Sequence, residues 1–192
     1  MAQKSMYDDL KVKYPELVGK SGHFGGFAIG DGWYDLVDTL CGMITHYIKS
    51  HNEDVAYRKS KIADGSKTEA DYAGELMTEW QWPKIQQVKE KFGGLRFYIA
   101  TVDKRIQAWT DYAEAVSTRI CEECGAPGEQ RHGGWVRTLC DKHEEEHQHK
   151  QAERYAESSD PNAVPLRPSF AAMLAQVAKD SGGTVDFPEF KE

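Results

Sequence analysis

Cys121, Cys124, Cys140 and His143 constrain this chain more than any other residues. They stand as C-x2-C-x15-C-x2-H within CEECGAPGEQRHGGWVRTLCDKH, the ligand spacing of a structural zinc site. Two ligand pairs on separate turns, joined by an arm long enough to double back as a hairpin, can wrap one tetrahedral Zn2+ with three thiolates and one imidazole. Four protein ligands leave no open position for substrate, so the pattern specifies a metal ion and not a reaction.

The neighbours of these ligands refine the expectation. Gly125 directly after Cys124 suits the tight backbone of a knuckle, and Gly128 with Gly133-Gly134 can turn the intervening arm. After Cys140 the run DKHEEEHQHKQAERYAE contains neither Gly nor Pro, so His143 falls in the first turn of a helix. Knuckle, hairpin and ligand-bearing helix together resemble a treble-clef finger. Two rival readings are weaker. A disulfide framework needs an oxidising compartment, and the N-terminal MAQKSMYDDL has no apolar signal segment. A redox CxxC is disfavoured by Glu122 and Glu123 between the thiols. His147, one turn beyond His143, stays open as an alternative fourth ligand, while His132 and His149 read as surface side chains.

At 192 residues, with 40% hydrophobic and 29% charged residues, the chain can bury one core plus a satellite. No segment reads as membrane-spanning, and a cytoplasmic protein is expected. The sequence predicts an α+β core over 1–120 with a surface excursion at about 50–82, a zinc finger over 121–157, and a Pro-rich linker, short helix and tail over 158–192. Asp31 and Gly32 open an amphipathic helix with Trp33, Leu36, Val37, Leu40, Cys41, Ile44 and Ile48 on one face. Asp31, Asp35 and Asp38 read as a solvated acidic face, and Cys41 as a buried small hydrophobe. MYDDLKVKYPEL predicts a short helix ending before Pro15. From His51 the apolar period is lost, a short helix capped by Thr68 follows, and Trp80 and Trp82 are expected to anchor the excursion.

IQQVKEKF, Gly93-Gly94 and LRFYI predict an antiparallel hairpin with a two-residue Gly-Gly loop, pairing Phe92 with Leu95 and Val88 with Ile99. That register puts Val88, Phe92, Leu95, Phe97 and Ile99 on a buried face and Lys89, Lys91, Arg96 and Tyr98 on a basic, aromatic one. Lys and Arg beside Tyr98 can contact nucleic acid; the plainer role is protection of an exposed strand edge. A second helix carries Val102, Ile106, Trp109, Ala113, Val116 and Ile120 as one stripe leading into the finger. The expected body is a small hairpin sheet packed by two amphipathic helices. In the tail, Phe170, Leu174 and Val177 form one side of a short helix that can dock on the core or on a partner.

GDGWYDLVDTLC, VKEKFGGLRFYI and the Cys/His segment, spanning about residues 23–145, resemble a group of small bacterial, prophage and phage proteins. The resemblance implies a phage-type accessory protein in a bacterial host cell and supplies no activity. Treble-clef fingers include nucleic-acid binders, protein-binding modules and HNH-type nucleases. The nuclease reading suffers from a saturated metal, with His132 alone on the hairpin. The finger holds nine acidic against five basic side chains over 121–157, a poor surface for DNA. Glu144, Glu145 and Glu146 can instead attract a basic protein surface. The expected function is therefore a non-enzymatic, zinc-stabilised protein that binds and modulates a host or phage protein, with nucleic-acid binding as the alternative.

Overall fold

The computed structural model describes residues 6–18, 26–132 and 135–157. The glycine-rich stretch at 19–25, Gly133-Gly134 and the segment 158–192, where the linker, short helix and tail are expected and which holds Phe170, Leu174 and Val177, lie outside the described residues. Helices α1 (Met6–Lys13) and α2 (Pro15–Val18) break at Tyr14 as Pro15 dictates. They bury Tyr7, Leu10, Leu17 and Val18.

A 3-10 turn at Asp31–Trp33 leads into α3 (Tyr34–Ala63), 30 residues long. Its buried stripe of Val37, Leu40, Cys41, Ile44 and Ile48 follows the helical period. The helix does not stop near His51 as the loss of period suggests. Past His51 it meets no Gly or Pro before the Asp64-Gly65 turn, Val55 is still fully buried, and its polar side chains are occupied by the returning chain. Asn52 Nδ2–H donates to Trp80 O (3.1 Å) and Asn52 Oδ1 accepts from Trp80 N–H (2.8 Å). Arg58 donates to Leu76 O, and the His51 ring stacks on Trp80 at 3.6 Å. The excursion is thus a strap over residues 64–82 held against α3. Its expected helix is a 3-10 turn at Glu69–Tyr72 with a Thr68/Asp71 capping box.

Three strands form the main sheet in the order β1 (Phe27–Ala28), β2 (Lys84–Lys91), β3 (Gly94–Ala100). β1 runs parallel to β2, with Phe27 opposite Val88; a two-residue strand is too short to alternate, so sequence reading misses it. The β2–β3 hairpin forms, but its loop is Phe92-Gly93 and not Gly93-Gly94. Lys91 pairs with Gly94, Glu90 with Leu95, Val88 with Phe97, and Ile85 with Ile99 across a bulge after Ile85. Phe92 and Gly93 both have positive φ, 55° and 70°, as a tight two-residue turn demands. Phe92 consequently leaves the core and is 68% exposed, whereas Ile85, Val88, Leu95 and Phe97 are buried.

Helix α4 (Lys104–Ser117) is capped by Asp103, whose carboxylate accepts from Arg105 and Ile106 N–H. Val102 lies outside the helix and is exposed; the buried stripe is Ile106, Thr110, Ala113 and Ser117. Leu95 N–H donates to Ser117 Oγ and Phe97 N–H to Glu114 Oε1, both at 2.8 Å. α4 thereby satisfies the outer edge of β3, which would otherwise be open to strand addition.

Asp31 and Asp35 are exposed, but Asp38 is engaged. It accepts from Lys13 Nζ at 2.8 and 2.9 Å and from Tyr14 Oη at 2.8 Å, pinning α1 to α3. Burial works to raise its pKa, and these hydrogen bonds outweigh burial and hold the carboxyl below its usual value. A carboxylate depressed in the folded state adds stability above its unfolded pKa, and that stability is lost as pH falls through the folded value. The unfolding midpoint is expected to drop as pH falls below about 4, and Asp38→Asn to flatten this acid limb in a pH series of urea titrations.

Candidate metal centre

The chain enters this region from α4 through Ile120, which bridges to Pro127. Between them the backbone closes a tight knuckle, with Cys121 N–H donating to Ala126 O (2.8 Å) and Gly125 N–H to Cys121 O (2.9 Å). Gly125 takes φ 76°, which L side chains rarely adopt. Strands β4 (Glu129–Arg131) and β5 (Arg137–Leu139) pair antiparallel, and β5 delivers Cys140 to the start of α5 (Asp141–Glu157). Glu144 N–H donates to Cys140 O, so His143 sits in the first turn.

Cys121, Cys124, Cys140 and His143 converge, their ligand atoms all within 4.8 Å of one another, and can hold a metal ion. His143 Nδ1 lies 3.4 Å from Cys121 Sγ and 3.3 Å from Cys140 Sγ, and the sulfurs of Cys124 and Cys140 are 3.9 Å apart. The backbone N–H of His143 bonds to the Cys140 sulfur and holds that thiol below its ordinary pKa, which favours the thiolate that a metal needs. At Cys124 the Ala126 N–H acts in the same direction but is outweighed by desolvation and by bonds shared with the other two sulfurs, so its thiol is raised. His147 is not in the cluster. Its ring lies beside Gln151, and both line a cleft against the core. His132 is exposed, and His149 faces Glu153 at 3.4 Å.

The knuckle is joined directly to the core. Gly32 N–H donates to Glu122 O (2.9 Å) and Trp33 Nε1–H to Ile120 O (2.8 Å). A Cβ on Gly32 would stand 2.1 Å from Cys121 O and 2.5 Å from Gly125 N, and one on Gly30 would stand 2.1 Å from Glu122 O. Gly30 and Gly32 are therefore required by close backbone approach, a role that GDGW signals in sequence only once the knuckle's position is known.

Glu122 is the charged residue that sequence reading passed over. It is buried, accepts from Arg137 Nε at 2.5 Å through Oε1, and its Oε2 has no hydrogen-bond partner among the described residues. Burial pushes its carboxyl up, against the charge and hydrogen bond of Arg137. Arg137 also donates to Glu123 Oε1 at 2.9 Å.

Lys89 is opposite Arg96, and strand parity puts Lys89, Lys91, Arg96 and Tyr98 on one face despite the shifted register. Lys89 Nζ stands 5.3 Å over the Tyr98 ring and Lys91 Nζ 5.3 Å over that of Phe92, while Arg96 faces Glu114 at 3.6 Å. On α5, Glu145 is exposed, Glu144 accepts from Gln148, and Glu146 lies 3.8 Å from Lys142 and 4.0 Å from His143 Nε2. Among the described residues no helix is long and apolar enough to cross a membrane.

Comparison with protein-family models, with curated proteins and with solved structures finds no match to this chain. The functional reading therefore rests on the residues themselves.

Two outcomes are expected. Cys140→Ser should lose bound metal, measured by elemental analysis of the purified protein, and lower the thermal midpoint; full metal content with an unchanged midpoint would remove Cys140 from the ligand set. Gly32→Ala should cost on the order of 2 kcal/mol or more in urea unfolding, since backbone and not a flexible side chain must yield.

Proposed function

We propose that this protein is a non-enzymatic, zinc-stabilised binding protein in which a treble-clef-like finger presents an acidic surface to a basic protein partner. The observation that carries the reading is the ligand geometry. Zn–S bonds of about 2.3 Å and a Zn–N bond of about 2.0 Å make tetrahedron edges of about 3.8 Å between sulfurs and 3.5 Å between sulfur and nitrogen. The observed 3.9, 3.4 and 3.3 Å fit those edges. Three sulfurs and a nitrogen suit zinc over harder cations. With all four positions taken by protein, the ion supports structure and supplies no Lewis-acid site to a substrate.

Charge supports a protein partner over nucleic acid. Residues 121–157 carry four more acidic than basic side chains, and exposed Glu145 continues the row of Glu144 and Glu146 on α5. Such a surface repels phosphate and steers a basic protein face. In the bacterial and phage setting that the sequence resemblance implies, that partner is a host or phage protein. The Lys89, Lys91, Arg96 and Tyr98 face supports the nucleic-acid alternative less well, because Arg96 is already neutralised by Glu114.

Immobilised zinc-loaded protein is expected to retain a defined bacterial or phage protein at low salt, and Glu144→Lys with Glu145→Lys and Glu146→Lys to release it. Retention of nothing, or retention indifferent to this charge reversal, would count against the reading. Fluorescence anisotropy with single- and double-stranded DNA and RNA separates the alternative. A steep salt dependence abolished by Lys89→Glu with Arg96→Glu would move the function to the basic hairpin face.

A further inference from the structure

The seam between core and finger leaves a cleft of about 570 Å³, within the range of small-ligand sites. Its lining includes Gly30 beside β1, Glu90 of β2, Glu122 of the knuckle, Trp135 and Arg137 of the hairpin, and His147 of α5. Three properties of this lining point to one ligand chemistry.

The first is an unmet hydrogen bond. The Glu122 side chain is 4% exposed and lines the cleft, yet Oε2 has no donor among the described residues. A buried carboxylate oxygen without a donor is costly, and a ligand N–H would relieve it. The second is charge. Glu90 lines the same cleft as Glu122, and one Glu90 oxygen is held by Gly93 N–H. Arg137, the one guanidinium among the described lining residues, is already shared between Glu122 Oε1 and Glu123 Oε1. Among the described lining residues two carboxylates thus stand against one guanidinium. The third is Trp135, 77% exposed at the rim, where an indole face attracts cations.

We propose that this cleft is a binding site for an alkylguanidinium group, with Glu122 Oε2 and Glu90 accepting its N–H donors and Trp135 stacking on its plane. A planar guanidinium, with five donors in fixed directions, can reach both carboxylates while its face stays free for the indole, which an ammonium does less well. The same chemistry arrives as an arginine side chain of a peptide or as a free small guanidine. None of Glu144, Glu145 and Glu146 is among the residues lining the cleft, and the site stands whether or not they recruit a protein.

The test uses the full-length, metal-loaded protein titrated with N-acetyl-arginine methylamide, agmatine, N-acetyl-lysine methylamide and the neutral N-acetyl-citrulline methylamide. Binding is followed by calorimetry and by the Trp135 indole N–H resonance. The arginine compound is expected to shift that resonance and to bind at least about tenfold more tightly than citrulline, with lysine between. Agmatine equal to the arginine amide would mark a free guanidine as the ligand, and a clear preference for the amide a peptide. Trp135→Ala and Glu90→Gln, both outside the metal cluster, should each weaken binding several-fold with metal content and thermal midpoint unchanged. Glu122→Gln should weaken it most, and because Glu122 also bonds Arg137 its result counts only if the midpoint is kept. Equal affinity for citrulline, no shift of the indole with any of the four compounds, or binding unaffected by Trp135→Ala and Glu90→Gln together would overturn the proposal.

Discussion

Backbone lies directly on backbone where Gly30–Trp33 meets the knuckle, and the rest of the structure takes its geometry from that contact. Gly32 N–H reaches Glu122 O, Trp33 Nε1–H reaches Ile120 O, and no side chain intervenes at Gly32. With no side chain to adjust, the spacing between the start of α3 and the knuckle has a single solution. Trp33 is fully buried, so the same residue that begins the core stripe also ends at a finger carbonyl. A metal held by the Cys/His cluster would order the knuckle and with it one wall of the core, so its linkage to folding would extend beyond residues 121–157.

A second contact completes the join. Gln130 Nε2–H donates to Phe92 O, and Thr138 Oγ1–H donates to Gly93 O, so the β4–β5 hairpin holds the turn of the β2–β3 hairpin from outside. This accounts for the positive φ of Phe92, a conformation that costs a non-glycine residue on the order of 1–3 kcal/mol and persists where neighbours enforce it. Between the two contacts the surfaces do not close, and the cleft that Glu122 helps to line is what remains.

Charge is sorted by these contacts. The chain's net charge of −7 says little by itself, because Arg96 is offset by Glu114, and Arg137 is divided between Glu122 and Glu123. Acidic side chains outnumber basic ones among the described lining residues of the cleft and in the sequence of α5. These are the two locations proposed for cationic ligands, the first a small cleft open to solvent and the second an exposed helix.

The sequence by itself determined the features that arise from local rules. The Cys/His spacing marked the three cysteines of the candidate metal cluster, the 3.6-residue period located α3 and α4, and the parity of the hairpin kept Lys89, Lys91, Arg96 and Tyr98 on one face even with a shifted register. These depend on neighbours within one or two turns, which is the range that spacing and periodicity report. Only tertiary structure decided the extension of α3 to Ala63, the turn at Phe92-Gly93, the choice of His143 over His147, and the burial of Glu122. Each depends on a group far along the chain: the strap carbonyls at Leu76 and Trp80, the hairpin side chains Gln130 and Thr138, and the distant Cys121 sulfur and Gly32 amide. A local pattern cannot encode where such partners come to rest, so the seam and its cleft appear only once the chain is folded.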